Sequence, residues 1–179
     1  MSKQHLTRRS RQSGAVLIVS LLLLLVMTIL GIVMMQTTRM QERMAGANRD
    51  LNMALQGAEA GLRYGESIID GYVTQPVTVG SLPCTVCQPG TLPIAIYDDT
   101  QFNWAANAQT YGNSGLTGND KLKANPQYTI EDIATVQRNG LELGQDVKVT
   151  REFYQVTARS TGATGNAVTV LQSTYTRVF

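Results

Sequence analysis

The chain has 179 residues, which is enough for one domain of ordinary size with a modest core. Its formal net charge is +2, but the first 14 residues hold four basic side chains and no acidic one, so the remainder carries 11 basic and 13 acidic side chains and a balance of −2. The basic character therefore belongs to the start of the chain, and no basic patch elsewhere indicates binding to nucleic acid.

An uncharged apolar run extends for 21 residues from Ala15 to Met35. As a helix it spans about 30 Å, the thickness of a bilayer's hydrocarbon core. Its two hydroxyl residues, Ser20 and Thr28, can donate to carbonyl groups one turn earlier, so they are cheap to bury. The run is too long for a removable secretory signal, and the basic residues before it favour a cytoplasmic amino terminus. A single-pass anchor is predicted, with the chain outside from about Gln36.

The helical period continues beyond the apolar run. Apolar residues recur at three- or four-residue spacing at Met40, Met44, Ala47, Leu51, Ala54, Ala58 and Leu62. No proline interrupts the chain between Ala15 and Gln75, so one helix is predicted that ends near Gly71. Small residues that permit another backbone to approach lie at Gly57, Ala58, Ala60 and Gly61. This face is either the seat of a sheet or a contact with another helix, and the sequence leaves both open.

Residues 71–127 are predicted to be irregular, because prolines and turn residues recur in "GYVTQPVTVGSLPCTVCQPGTLP" and "YGNSGLTGND". A short helix is expected to begin at Asp98 or Asp99, capped by this acid pair. The aromatic side chains of Tyr97, Phe102 and Trp104 are expected to pack in the core.

The two cysteines, Cys84 and Cys87, form a CxxC pair inside this irregular region. A zinc site would need two further ligands, and the single histidine, His5, lies in the amino-terminal segment. A redox pair would be expected at the start of a helix in a βαβ unit. A structural disulfide in an oxidising compartment is therefore favoured, and no metal or cofactor is expected.

Three segments have strand composition: "QYTIEDIATV", "DVKVTREFYQVTARS" and "NAVTVLQSTYTRVF". The stretch "STGATGN" between the last two indicates a hairpin loop. A long helix followed by antiparallel strands predicts an α+β fold, in which the sheet over residues 128–179 packs on the amphipathic half of the helix, residues 36–70.

The sequence carries no recognisable catalytic constellation. The acid pair Glu131 and Asp132 is predicted to lie on one strand, with its side chains on opposite faces. Neither acid pair has a histidine partner outside the membrane, and no phosphate-binding glycine loop or G-x-S-x-G motif occurs. Enzymatic activity, with catalytic residues of its own, is not expected.

Three stretches resemble type IV pilins, and most closely the minor pilin family called PilX: "QSGAVLIVSLLLLLVMTILGIVMM", "QERMAGANRDLNMALQGAEAGLRYGE" and "FYQVTARSTGATGNAVTVLQSTY". They cover about the first 70 and the last 30 residues. The resemblance implies a pilin-like fold and a basic prepilin leader over residues 1–14. A prepilin peptidase would cut after Gly14 and methylate the new amino terminus at Ala15, where most pilins have phenylalanine.

Most pilins also place a glutamate at the fifth position after the cut, which is Val19 here. In the family, that carboxylate of an incoming subunit neutralises the terminal amine of the subunit ahead. Its absence leads to the hypothesis that this subunit lies at or near the tip of a priming complex of minor pilins.

The partners that the resemblance implies are other minor pilins, the major pilin, an inner-membrane assembly platform and a PilY-type tip adhesin. Before assembly, it implies an inner-membrane location with the carboxyl-terminal domain in the periplasm. After assembly, it implies a place at the pilus tip or in the fibre. It also implies roles in cell adhesion and twitching motility.

Two other interpretations stay open. One is a pseudopilin at the tip of a type II secretion pseudopilus. The other is a bitopic, membrane-anchored periplasmic module that binds a ligand through its loop region. The pilin-like interpretations predict cleavage between Gly14 and Ala15, whereas the bitopic module predicts an intact Met1 terminus.

Overall fold

The computed structural model of the protein describes residues 13–98, 101–112, 114–118, 121–142 and 145–179. The basic residues of the predicted leader, His5 and Asp99 lie outside these ranges. The chain falls into two compact units, Met1–Gly46 and Ala47–Phe179.

One helix, α1, runs from Ser13 to Gly71 and contributes to both units. The prediction of a single helix ending near Gly71 is confirmed. The helix persists because no proline interrupts it, and it stops at a glycine that is soon followed by Pro76. Tyr72 closes its last turn by donating its backbone N–H to the carbonyl oxygen of Ile69, at 3.2 Å.

The second unit contains a four-stranded antiparallel sheet in the order β1-β2-β3-β4. The strands are β1 (Gln109–Thr110), β2 (Gln127–Glu142), β3 (Gln145–Thr161) and β4 (Val168–Val178). The three long strands match the three predicted segments, and the loop between β3 and β4 lies in the predicted hairpin stretch. The α+β fold class is confirmed, while the two-residue strand β1 was not predicted.

A short helix, α2, occupies Trp104–Asn107. The prediction that it begins at Asp98 or Asp99 is wrong. Its N-cap is Asn103, whose side-chain oxygen accepts a hydrogen bond from the backbone N–H of Ala106 at 3.2 Å. The amide therefore performs the capping that was expected of the acid pair.

The buried face of α1 begins at Asp50 and includes Ala54, Ala58 and Ile69, the last three with no exposed surface. Ile69 belongs to the main core of the sheet, whose buried members on β2 and β3 are Tyr128, Ile130, Tyr154, Val156 and Ala158. The predicted apolar stripe is thus confirmed at Ala54 and Ala58.

The lower part of the predicted stripe is wrong as a core prediction. Met40 and Met44, which precede the covered part of the helix, are exposed by 61% and 59%. Leu51 follows Asp50 but is still 50% exposed, so it does not lie on the buried face. The sheet covers the helix only from Asp50 onward, so helical periodicity alone placed the boundary too early.

The opposite face of the sheet is covered in part by the irregular region. Phe102 and Trp104 are buried there and pack edge-to-face, with ring centroids 5.1 Å apart. The indole N–H of Trp104 donates to the carbonyl oxygen of Ile96 at 3.2 Å. Tyr97, by contrast, is 69% exposed, because the chain turns its neighbour Ile96 into this cluster instead. The core prediction is right for the first two aromatic residues and wrong for Tyr97.

Candidate functional site

The first candidate site is the apolar surface at the start of α1. Every residue from Gly14 to Met35 is exposed in the isolated chain. The helix Gly14–Gly71 contains an 18-residue window of mean hydropathy 3.2 that is not buried at all. By length and composition it is, among the described residues, the one helix able to cross a membrane. A surface of this kind is stable only against lipid or against other apolar helices.

The hydroxyl groups of this segment donate hydrogen bonds to backbone carbonyl groups of the same helix. The Ser20 hydroxyl donates to the carbonyl oxygen of Leu17 at 2.9 Å, and that of Thr28 donates to Leu25 at 2.7 Å. The predicted back-bonding is therefore confirmed. No acidic residue occurs in the helix before Glu42.

The three predicted assembly residues lie together in the first turns of α1. Gly14 and Ala15 are exposed, and nothing outside the local helix lies within 4 Å of a Cβ built on Gly14. Val19 is 57% exposed and stands four residues after Ala15, so the two share one face of the helix. Ala15 and Val19 are thus neighbours on this exposed surface.

The sheet unit packs closely against three glycines of α1, at Gly57, Gly61 and Gly65. Their spacing of four residues places them on one helical face. A Cβ added at Gly65 would lie 2.7 Å from the Cγ1 atom of Val156, closer than two carbon atoms can approach. At these positions the small-residue face therefore packs against the sheet of the same chain. This decides between the sheet and another helix, which the sequence left open.

Asp50 attaches the helix to the loop between β3 and β4, a role that the sequence analysis missed. Its carboxylate accepts hydrogen bonds from the Thr164 hydroxyl at 2.5 Å, the Thr164 backbone N–H at 3.0 Å and the Ala167 backbone N–H at 3.3 Å. Hydrogen bonds from Thr164, led by that of its side chain, lower the pKa of Asp50. The signal available in the sequence was the position of Asp50, an acidic residue at the border of the apolar face of the helix.

The predicted cysteine pair, Cys84 and Cys87, is joined in a disulfide, with Cα atoms 5.3 Å apart and both residues buried. Cys87 places this loop against the outer edge of β2. Its backbone N–H donates to the carbonyl oxygen of Ile130 at 2.8 Å, and its own carbonyl oxygen accepts from Asp132 at 2.9 Å. The bond therefore lies where the irregular region is attached to the sheet.

The acid pair Glu131 and Asp132 points to opposite faces of β2, as predicted. Glu131 accepts a hydrogen bond from the backbone N–H of Gly90 at 2.7 Å and so holds the irregular region. Asp132 pairs with Tyr154 across β2 and β3, on the helix side. Within the described residues, Glu131 therefore holds a loop and Asp132 lies on the helix side of the sheet.

The buried carboxyl group of Glu152 lies near Asp132. Glu152 has no exposed surface and accepts hydrogen bonds from the Gln75 side chain at 2.8 Å and from the Thr135 hydroxyl at 2.5 Å. Burial, and secondarily the charge of Glu152, raise the pKa of Asp132. Burial, then Asp132 and Glu152, raise the pKa of the Tyr154 phenol to about 12, so this hydroxyl stays protonated at neutral pH.

Among the described residues, no three histidine, cysteine, aspartate or glutamate side chains group as metal ligands. The arrangement instead offers an apolar helical surface and a folded unit that is attached to α1 by packing and hydrogen bonds. Of these two features, the apolar helical surface is the one suited to association.

A long amino-terminal helix with an apolar surface, followed by a four-stranded antiparallel sheet, defines a pilin-like fold. Comparison with family models identifies the family. Residues 70–177 match the model for the type IV pilus assembly protein PilX carboxyl-terminal domain, and residues 13–63 match the PilX amino-terminal domain. The chain belongs to the PilX family, and this membership indicates a structural role in type IV pilus assembly. No curated protein and no solved structure gave a significant match.

Proposed function

We propose that the protein is a non-enzymatic minor pilin that primes type IV pilus assembly within a complex of minor pilins at the pilus tip. The observation that carries this proposal is Val19. A residue without charge stands on the same helical face as Ala15, at the position where most pilins have glutamate.

The physical argument concerns a buried charge. An ionised amine among packed apolar helices is costly unless a carboxylate lies beside it. A subunit without that carboxylate cannot neutralise the amine of a subunit ahead of it. At the front of the fibre no such amine exists, so the absence of the carboxylate costs nothing there.

The proposal includes a maturation step and a set of partners. A prepilin peptidase would cleave between Gly14 and Ala15 and methylate Ala15. The exposed helix surface from Gly14 to Met35 would lie in the inner membrane before assembly, with the carboxyl-terminal unit in the periplasm, and against other minor pilins and the major pilin afterwards. The assembly platform and a PilY-type adhesin at the tip are further proposed partners.

The direct test substitutes Val19→Glu, with Val19→Gln as the uncharged control of similar size. Cells lacking the wild-type gene would express each variant, and labelled subunits would be located along sheared pili. We expect the wild type and the Gln variant at the tip, and the Glu variant also along the fibre. Wild-type subunits spread along the fibre, or a Glu variant with unchanged location and unchanged pilus number, would contradict the proposal.

Amino-terminal mass spectrometry of the membrane-extracted protein tests maturation separately. We expect a chain that begins with methylated Ala15. An intact Met1 terminus would instead support a bitopic membrane module.

A further inference from the structure

The outer strand β4 has a free edge. It pairs with β3 in unbroken register from Val168 to Val178 and is last in the strand order. Within the part of the chain that the structure describes, no strand pairs with its other side. The edge is 11 residues long.

The backbone groups that face outward follow from the pairing. Phe179 donates its N–H to the carbonyl oxygen of Thr150 at 3.0 Å, and Thr150 donates back at 3.4 Å. In an antiparallel pair, residues bonded to the partner strand alternate with residues whose N–H and C=O point away. The outward groups therefore belong to Val168, Val170, Gln172, Thr174, Thr176 and Val178. Their two-residue spacing fits an extended polypeptide backbone.

The opposite edge of the sheet is protected along the first part of β2, from Gln127 to Ala134. Along β2, strand β1 pairs with Gln127 and Tyr128, and Cys87 bonds to the backbone of Ile130 and Asp132. A bulge between Asp132 and Ala134 follows. Bulges and covering segments of this kind prevent edge-to-edge pairing.

Among the described residues, strand β4 has neither a bulge nor a covering segment. It contains no proline, and Arg177 is its one charged residue. Exposed edges of this kind are templates for pairing with another chain.

The helix side of this edge is acidic. The Ser173 hydroxyl donates to Glu66 Oε1 at 2.7 Å, and the Tyr175 hydroxyl donates to Asp70 Oδ1 at 2.5 Å. The Arg177 guanidinium lies 3.5 Å from Asp70, so one cation accompanies two carboxylates. The Asp70 side chain is 64% exposed. A strand added to β4 would place every second side chain beside these acids, where basic residues are favoured.

We propose that the outer edge of β4 binds an extended, basic segment of another polypeptide by β-strand addition. A second copy of this chain fits less well, because pairing two β4 edges would bring two acidic rims together. This surface is distinct from the apolar segment of α1, so the proposal stands or falls independently of the subunit's position in the pilus.

The experiment uses the full chain in detergent and a fluorescent nine-residue peptide that alternates lysine and valine. A peptide with glutamate in place of lysine is the charge control. The matched variant is Thr174→Pro, which removes one outward N–H and leaves the hydrogen bonds between β3 and β4 in place. We expect saturable binding of the lysine peptide, weaker binding of the glutamate peptide, and about tenfold weaker binding to the variant.

Hydrogen exchange gives a readout that needs no variant. The outward amides of Val170, Gln172 and Thr174 should exchange fast in the free protein and become protected when the lysine peptide is bound. The double variant Glu66→Gln, Asp70→Asn should lose the preference for lysine over glutamate. Absence of binding at about 1 mM peptide, unprotected outward amides, or self-association through β4 would overturn the proposal.

Discussion

Substituting Gly65→Ala tests how closely α1 approaches the sheet. The added Cβ would lie 2.7 Å from Val156 Cγ1 and 3.3 Å from Tyr128 Cδ2, and Val156 has no exposed surface into which it can move. Overpacking of this kind costs about 1–3 kcal/mol. Alanine also gains about 1 kcal/mol of helix propensity over glycine, which offsets part of the loss.

Gly46→Ala is the matched control, because nothing outside the local helix lies within 4 Å of its added Cβ. The propensity gain cancels between the two variants, so the difference in their unfolding free energy isolates the packing cost of about 1–3 kcal/mol. Gly61→Ala, whose nearest contacts would be at 3.2 and 3.3 Å, should fall between them.

The assay for this series is urea unfolding in detergent, followed by the fluorescence of Trp104, the single tryptophan, which is 4% exposed. The expected order of stability is Gly46→Ala, then Gly61→Ala, then Gly65→Ala. A Gly65→Ala protein as stable as the Gly46→Ala protein would refute the close approach of helix and sheet.

Three further predictions concern the polar contacts and the disulfide. Because hydrogen bonds lower the pKa of Asp50, the wild type should lose stability as pH falls through that lowered pKa, and Asp50→Asn should flatten this loss in urea titrations between about pH 2 and pH 5. Burial raises the pKa of Asp132, so ionising it destabilises the fold as pH rises above the ordinary carboxyl pKa; Asp132→Asn should therefore be more stable than wild type near neutral pH, and a less stable variant would contradict this sign. Replacing Cys84 and Cys87 together by serine opens a four-residue loop and should cost about 2 kcal/mol, measured against the wild type with and without reductant; equal stability of variant and oxidised wild type would count against it.

The helix and the three long strands were predictable because each depends on local composition and period. An uninterrupted apolar and amphipathic stretch without proline leaves few alternatives to α1, and β-branched segments separated by a glycine-rich loop leave few alternatives to a hairpin. The opposite orientation of Glu131 and Asp132 follows from the same two-residue period.

The errors arose where long-range contacts decide the outcome. Asp50 has no local partner, and its bonds to Thr164 form only once the hairpin lies on the helix. The start of α2 depends on the Asn103 amide rather than on the acid pair before it. Tyr97 and Met40 are apolar enough for a core, but nothing in the sequence shows which surface the fold leaves uncovered.

From the attachment of Asp50 to the β3–β4 loop we also expect a particular response of the carboxyl-terminal unit to mechanical tension. Asp50 is the first buried residue of α1, so a pull on the preceding helix residues enters this unit at the Thr164 contact. Beyond that contact, the load would be shared among the closely packed glycine positions and strands β2 and β3, as shear across many side-chain contacts. A force that instead lifted the loop away from Asp50 would meet only a few hydrogen bonds. The unit is thus expected to resist traction along its helix better than peeling at this loop.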